Sequence, residues 1–256
     1  MVSLLFHDVY IRQPQESGFT SLAADRYKLP VDRFEAQLDG LVNAEDPAPF
    51  VTTFDDGGLS FYTVVADRLD LLGWRGHCLV ATDFIGRYGF LNARQIRDLD
   101  ARGHLIGSHS ASHPTRFHRC SPDQMYREWR HSREVLEHIV GHAVLTASVP
   151  GGFLSRAVAR AASDAGIRVL FTSEPITRTH YEGRCAVIGR FAIRHSSDAD
   201  LARRLVEPPP FTRWREWAAW NAKSAIKPLL GKSYARVADW LTAGTAHQAA
   251  EHRGLK

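Results

Sequence analysis

Cysteine is scarce in this chain. There are three in 256 residues, Cys78, Cys120 and Cys185, far apart and with no CxxC pair. That excludes a disulfide framework and a zinc knuckle, and it fits a reducing compartment. Long apolar runs are also missing. No stretch approaches the roughly 20 residues that a membrane-spanning helix needs. The opening residues, MVSLLFHDVY, carry no basic stretch and only a short apolar run, Val2 to Phe6, broken by Ser3. A signal peptide is therefore not expected, and the expected location is cytoplasmic. There is no glycine-rich dinucleotide or phosphate loop, no internal repeat and no low-complexity segment.

What is present is a globular composition, 44% hydrophobic and 23% charged, in a chain long enough to bury a substantial core. The net charge of +4 is uneven. Residues 201–256 hold ten Lys and Arg against four Asp and Glu, a net +6, which leaves residues 1–200 at −2. The basic character belongs to the C-terminal segment, and no nucleic-acid partner is expected.

Short apolar runs alternate with helical patterns. Strands are expected at Val2–Phe6, Phe50–Phe54, His77–Ala81, Leu105–Ser108, Val144–Val149, Ile167–Thr172 and Ala186–Ile193. Between them, 31–42 has helical spacing at Phe34, Leu38, Leu41 and Val42. Ser60 can cap a helix through Leu72, stopped by Gly73, and Asn92–Arg102 is closed by Gly103. Ser121 opens a helix with Pro122 at its first position and Gln124 completing a capping box. Its apolar face is Met125, Trp129, Leu136, Ile139 and Val140, and Gly141 ends it. Ser155–Ala165, ended by Gly166, is the last helix of the body. This alternation argues a parallel sheet covered by helices, and seven strands favour a closed or nearly closed barrel. Barrel enzymes carry their chemistry at the C-terminal strand ends. Asp55, His109, Pro150, Glu174 and His195 fall there.

The chemistry centres on VTTFDDG, residues 51–57, and GSHSASH, residues 107–113. Asp55 and Asp56 are adjacent, so a turn must begin between them for both to serve one site. His109 and His113 lie four apart on a polar turn. Two imidazoles and one carboxylate make a facial set for a divalent metal with positions left open, and the other carboxylate is free to act as a base. That combination points to metal-assisted hydrolysis.

TFDDG followed by HSxxH resembles the NodB-type polysaccharide deacetylases, carbohydrate esterases that remove acetyl groups from glycans. The resemblance runs over roughly residues 1–198. It implies a distorted (β/α)7 barrel, Asp55 as general base, and Asp56, His109 and His113 as ligands of a metal, most simply Zn2+. It implies an acetylated sugar or glycan precursor as substrate. Ile193-Arg194-His195 is similar to the family's last motif and implies His195 as the acid for the leaving group. His7-Asp8 resembles the Tyr-His opening of many relatives and implies two pocket-lining residues.

The chain departs from the family in its third motif, where an arginine normally orients the base. Here Ser148-Val149-Pro150-Gly151-Gly152 keeps the proline, and the Gly151 N–H can serve an oxyanion. Ser148 stands in the arginine's place, so Arg190 or Arg194 is the candidate to supply the charge. Glu174 stands near the position of the aspartate that tunes the acid. The loss of the arginine keeps two alternatives open. One is an amide hydrolase for another substrate on the same fold, and the other is a non-catalytic glycan-binding or assembly protein.

Glu207 and three prolines, Pro208–Pro210, break the chain and divide a 1–206 barrel from a 207–256 extension. Trp214, Trp217 and Trp220 recur at spacing three among Arg213, Arg215, Lys223 and Lys227. A helix packed on the barrel is expected there, with weak contact to a membrane surface or an acidic partner as the alternative. Gly244–Lys256 lacks an apolar pattern and is expected to fray. The oligomeric state is not legible.

Overall fold

The computed structural model describes residues 1–230. The expected fraying of 244–256 lies outside the described residues. The strands are β1 (Val2–Phe6), β2 (Val9–Tyr10), β3 (Leu29–Pro30), β4 (Phe50–Phe54), β5 (Gly76–Val80), β6 (Leu105–Ser108), β7 (Thr146–Ser148), β8 (Val169–Phe171), β9 (His180–Glu182), β10 (Cys185–Ile188) and β11 (Phe191–Ala192). The helices are α1 (Leu22–Asp25), α2 (Val31–Val42), α3 (Ala66–Leu71), α4 (Ala93–Ala101), α5 (Pro122–Val140), α6 (Arg156–Asp164), α7 (Leu201–Val206) and α8 (Phe211–Leu230).

Nine strands form one sheet in the order β11-β1-β4-β5-β6-β7-β8-β10-β9. All neighbours pair in parallel except the β10–β9 edge. One end of this order, β11, and the last parallel strand at the other side, β10, lie in one piece of chain. β10 pairs with β8 and β11 pairs with β1, and only Gly189 and Arg190 separate them. The expected strand 186–193 is therefore broken in two, and it joins the two sides of the curled sheet. Its break has a steric cause. A Cβ on Gly189 would stand 2.4 Å from the Glu174 carbonyl oxygen, so only glycine lets the 174–176 segment cross here. The architecture is the distorted (β/α)7 barrel.

Strand alternation sorts the side chains. Val2, Leu4, Phe6, Phe54, Cys78, Val80, Ile106, Phe191 and Ile193 pack with helix residues such as Phe34, Leu38, Val65, Leu69 and Ile96 in one outer core. Ala147, Val149, Leu170 and Val187 pack with Met125, Trp129, Val158 and Ala162 in a second. By the two-residue period, Leu5, Thr53, Asp55, Leu79, Ser148, Phe171 and Arg190 then turn inward. Burying each large apolar side chain of these layers stabilises the fold by about 1.5–3 kcal/mol.

Several local expectations need correction. Ser60 does not cap its helix. Its hydroxyl donates to Asp8 Oδ1 at 2.8 Å and accepts from the Val9 N–H at 3.0 Å. The segment starts instead with a wide π turn, Phe61–Val65, before α3. Ser121 accepts from the Gln124 N–H at 3.2 Å, which is only the forward half of the capping box; both halves form at Asn92 and Gln95. The short pair β2–β3 and the antiparallel edge strand β9 carry too few periodic residues to be read from sequence. The three cysteines are free.

The chain divides into two compact units, Met1–Trp214 and Arg215–Lys256. After the prolines the chain resumes as α8, so the tryptophan-spaced segment is helical as far as Leu230. Trp214 and Trp217 are exposed. No helix among the described residues is long and apolar enough to cross a membrane.

Candidate metal centre and hydrolytic site

Asp55 follows β4, and its N–H donates to the Phe6 carbonyl at 3.1 Å, which fixes its peptide to the neighbouring strand. Asp56 then takes φ +80°, a left-handed conformation that reverses the chain and lets both carboxylates serve one side. Ser110 and His113 are left-handed as well, at +63° and +54°. Such residues each cost of order 1–3 kcal/mol, and here they gather at one place. The following glycines make room for the reversal. A Cβ on Gly58 would fall 1.8 Å from Asp8 Oδ1.

The histidine turn is built by side-chain hydrogen bonds. Ser108 Oγ accepts from the Ser110 N–H at 3.1 Å, and Ser110 Oγ accepts from the His113 N–H at 3.1 Å. Glu128, from α5, accepts from the N–H groups of Ala111 and Ser112 at 3.0 and 2.8 Å, and from Ser112 Oγ at 2.6 Å. The result brings Asp56, His109 and His113 together, with one ligand atom from each within 4.8 Å of the others. His109 Nε2 and His113 Nε2 stand 3.4 and 3.5 Å from Asp56 Oδ1.

The chemistry of these donors fits a divalent cation. His109 Nδ1 lies 3.0 Å from the Ser148 carbonyl oxygen and 2.5 Å from Ser148 Oγ. A carbonyl only accepts, so Nδ1 carries the proton and Nε2 keeps its lone pair in the neutral ring. Burial, then the neighbouring His109, push His113 down to about 4, so it too is a neutral ligand at neutral pH. Burial alone would lower His109 as well, but the charges of Asp55 and Asp56 prevail and raise it. Burial opposes ionisation of Asp56, yet the His109 hydrogen bond and the surrounding histidines hold it low.

Asp55 stands 4.0 Å from His109 Nε2 and is engaged by a different partner. Arg190 Nη1 donates to Asp55 Oδ1 and Nη2 to Oδ2, both at 2.7 Å. Arg190 is fully buried, and its other donors reach Thr53 Oγ1 at 2.9 Å and the Thr172 carbonyl at 3.0 Å. Ser148 Oγ donates to Asp55 Oδ1 at 2.9 Å. Burial would raise this carboxyl, but the Arg190 charge dominates and keeps it ionised well below the usual carboxylate range. Of the two candidates for the missing arginine, Arg190 takes the position. Arg194 instead lies over the Tyr27 ring at 5.6 Å.

The remaining candidates are less concentrated. Pro150 and Gly151 open a 3-10 turn, Pro150–Gly152, one residue beyond Ser148, with Gly151 at φ +67° and exposed. Glu174 contributes backbone: its carbonyl accepts from the Arg190 and Ile176 N–H groups, both at 2.9 Å. His195 is exposed. Its N–H donates to the Arg26 carbonyl, its carbonyl accepts from Arg33, and its ring has no hydrogen bond or ion pair among the described residues. Asp8 is buried behind the site, accepting from Ser17 Oγ at 2.6 Å and from Ser60. His7 is half-buried, with Tyr27 4.8 Å away.

Three features escaped the sequence reading. Ser148 links His109 to Asp55, a role visible only once the strands are in register. Lys28, buried, donates to the carbonyls of Pro14, Ser17 and Phe19 at 2.7–2.8 Å and so ties down the loop before β3. That loop sets Phe19 4.7 Å from His113 and against Phe84 and Phe90. No local sequence signal marks an aromatic delivered by a distant loop.

Comparison with known proteins bears on the fold and the family. A deacetylase, PplD, from Streptococcus pyogenes, solved with acetate, superposes with TM-score 0.61 at 20% identity, over 75% of this chain and 92% of that one. IcaB from Ammonifex degensii gives 0.61 at 19%, over 85% and 96%. A de-N-acetylase from Aggregatibacter actinomycetemcomitans gives 0.63 at 12%, over 77% and 96%. At these identities the likeness establishes the fold. No curated protein sequence matches the chain. The sequence model of the polysaccharide deacetylase family matches residues 43–170, half of the chain and the part that holds both central motifs, so the protein belongs to the polysaccharide deacetylase family.

Proposed function

We propose that this protein is a metal-dependent hydrolase that removes an acetyl group from an amino sugar within a glycan or glycan precursor. The observation that carries the reading is the pairing of two arrangements at one barrel mouth: an Asp-His-His donor set, and an aspartate held ionised by a buried arginine. Asp56, His109 and His113 would hold the cation, most simply zinc. A cation there would supply Lewis acidity to the acyl oxygen.

The chain's own groups account for the remaining roles. Asp55 is the base that takes a proton from the attacking water. Its acceptor geometry is fixed by Arg190 and Ser148, so little reorganisation is needed as the proton arrives. The turn at Pro150–Gly151 can line the acyl group. His195 is the donor to the leaving nitrogen on the strength of the family resemblance alone. The missing third-motif arginine was the main support for a non-catalytic protein, and Arg190 removes that support.

The test is acetate release from a panel of N-acetylated amino sugars and their oligomers. Zinc-loaded wild type is run beside Asp55→Asn and His195→Ala. Release by wild type and loss in Asp55→Asn supports the reading. No release from any substrate, with zinc verified in place, would move it to another amide or to a binding role.

A further inference from the structure

One cation at the barrel mouth has no anion among the described residues. Arg194 follows β11, and β11 pairs with β1 so that Leu5 is opposite Ala192. The ladder runs one step further, because the Ile193 N–H donates to the Leu5 carbonyl at 2.9 Å. Phe191 and Ile193 pack into the outer core, so the two-residue period turns Arg194 inward. On the other side of β1, Phe6 is opposite Phe54. Carried to the strand ends, these registers set Arg194, His7 and Asp55 side by side on three neighbouring strands. Two strand spacings, about 10 Å, then separate Arg194 from Asp55.

The guanidinium lies over the Tyr27 ring, 5.6 Å from its centroid, and Tyr27 in turn packs on His7 at 4.8 Å. Stacking on a ring orients a guanidinium but leaves its edge donors free. None of those donors is used. Arg194 Nε is buried without a hydrogen-bond partner, and the guanidinium enters no hydrogen bond or ion pair among the described residues. The arginines around it are otherwise matched. Arg190 forks to Asp55, Arg204 pairs with Asp198, and Arg33 donates to the carbonyls of His195 and Ser197. A buried donor without a partner calls for a reason, and an anion brought by the substrate supplies one.

We propose that Arg194 is a specificity-determining residue that binds an anionic group of the substrate, a phosphoryl or carboxyl group on the acetylated sugar or on the sugar next to it. The proposal rests on the deacetylase reading and names the substrate class of that site, an anionic glycan or glycan precursor. A planar guanidinium meets two oxygens of such a group with two parallel N–H donors. The two-strand separation holds that anion to one side of the scissile amide and away from Asp55, which it would repel.

The experiment compares wild type, Arg194→Met and Arg194→Lys, all zinc-loaded. Acetate release is measured from N-acetylglucosamine, from N-acetylglucosamine 1-phosphate, and from a disaccharide of glucuronic acid and N-acetylglucosamine. Wild type is expected to prefer at least one anionic substrate over the neutral sugar by about 10–100-fold in kcat/KM, mainly through KM, the scale of a hydrogen bond to a charged group. Which anionic substrate is preferred distinguishes a phosphoryl from a carboxyl group. In Arg194→Met the preference ratio should fall to near one. Arg194→Lys should keep part of it, because the charge remains and the fork does not. Glucose 1-phosphate and glucuronic acid, which carry no acetyl group, are titrated by calorimetry into the same three proteins. Wild type should bind one of them about tenfold or more tightly than Arg194→Met does. Equal activity of wild type on neutral and anionic substrates, or a preference that survives in Arg194→Met, would overturn the proposal. So would sugar anions that bind Arg194→Met as tightly as wild type, since zinc alone would then hold them. The titration needs no turnover, so a wild type inactive on every acetylated sugar would sink the deacetylase reading, while the binding result still decides for or against Arg194.

Discussion

Arg190 grips Asp55 in a two-point fork, Nη1 to Oδ1 and Nη2 to Oδ2 at 2.7 Å, across strands that are 135 residues apart in sequence. Both side chains are almost wholly buried. The arginine enters from the break between β10 and β11, so the segment that joins the two sides of the sheet also carries the charge that holds Asp55. Fold closure and the proposed base therefore share one residue.

Removing one partner of a buried ion pair leaves the other charge uncompensated, at about 3–5 kcal/mol. Arg190→Met is expected to lose stability on that scale and nearly all acetate release. Arg190→Lys should keep part of the stability but little of the activity, because an ammonium is a point charge and cannot reproduce the fork. Urea denaturation beside kcat checks both. A methionine variant as stable as wild type would mean that Asp55 finds another partner in the folded chain.

Ser148 stands between the two halves of the site, accepting from His109 and donating to Asp55. Ser148→Ala removes both hydroxyl contacts but leaves the Ser148 carbonyl contact of His109 Nδ1, because that acceptor is backbone. The expected outcome is a loss of about 1 kcal/mol in stability. Metal affinity should fall by about tenfold, the low end for a group that orients a ligand. Chelator competition measures it. Unchanged zinc affinity would show that the backbone carbonyl alone holds the ring.

The sequence made the barrel and the donor set legible because each has a local signature. Val2–Phe6 and Phe50–Phe54 are apolar runs of strand length, and both form with the expected bounds. Gly73, Gly103, Gly141 and Gly166 end their helices with positive φ. The Asp pair and the HxxxH turn each lie within seven residues. Arg190 was one of two candidates because its role depends on strand register, which no local pattern encodes. Ser60 misled because a serine ahead of a helix reads as a cap, whereas here a buried aspartate from another strand claims its hydroxyl. Lys28 and Phe19 act through a long loop whose course is set by tertiary hydrogen bonds.

The donor set also predicts how metal binding responds to pH. In the metal-free chain the charges of Asp55 and Asp56 overcome burial and raise His109 above its ordinary value of 6.5, whereas His113 is near 4. His109 is therefore the first of the two histidines to take up, as pH falls, a proton that a cation must displace. Zinc binding is expected to release about one proton below the raised His109 value, and affinity should fall as pH drops through it, with no contribution from His113 until near pH 4. Calorimetry in buffers of different ionisation enthalpy counts the protons. Release of two protons at pH 6 would show that His113 is also protonated before binding.

Asp8 gives a stability prediction of opposite sign to that of a salt-bridged carboxylate. Burial pushes its carboxyl up to about 6 from an ordinary 3.8, with the Ser17 hydrogen bond opposing and the Asp56 charge adding. Its Oδ2 has no hydrogen-bond partner, so the ionised carboxylate is hydrogen-bonded only by Ser17 and Ser60, through Oδ1. The folded chain then binds this proton more tightly than the unfolded chain. The stabilising contribution is complete below about pH 4 and is lost as pH rises through about 6. A shift of this size in a buried group corresponds to about 3 kcal/mol. Asp8→Asn keeps an acceptor for both serines and does not titrate. Measured by urea denaturation with chelator present, the stability of wild type minus that of Asp8→Asn is expected to fall by about 2 kcal/mol between pH 4 and pH 7. A flat difference would mean that the buried Lys28 ammonium nearby compensates the ionised carboxylate, and that the loop carrying Phe19 is held equally well at either pH.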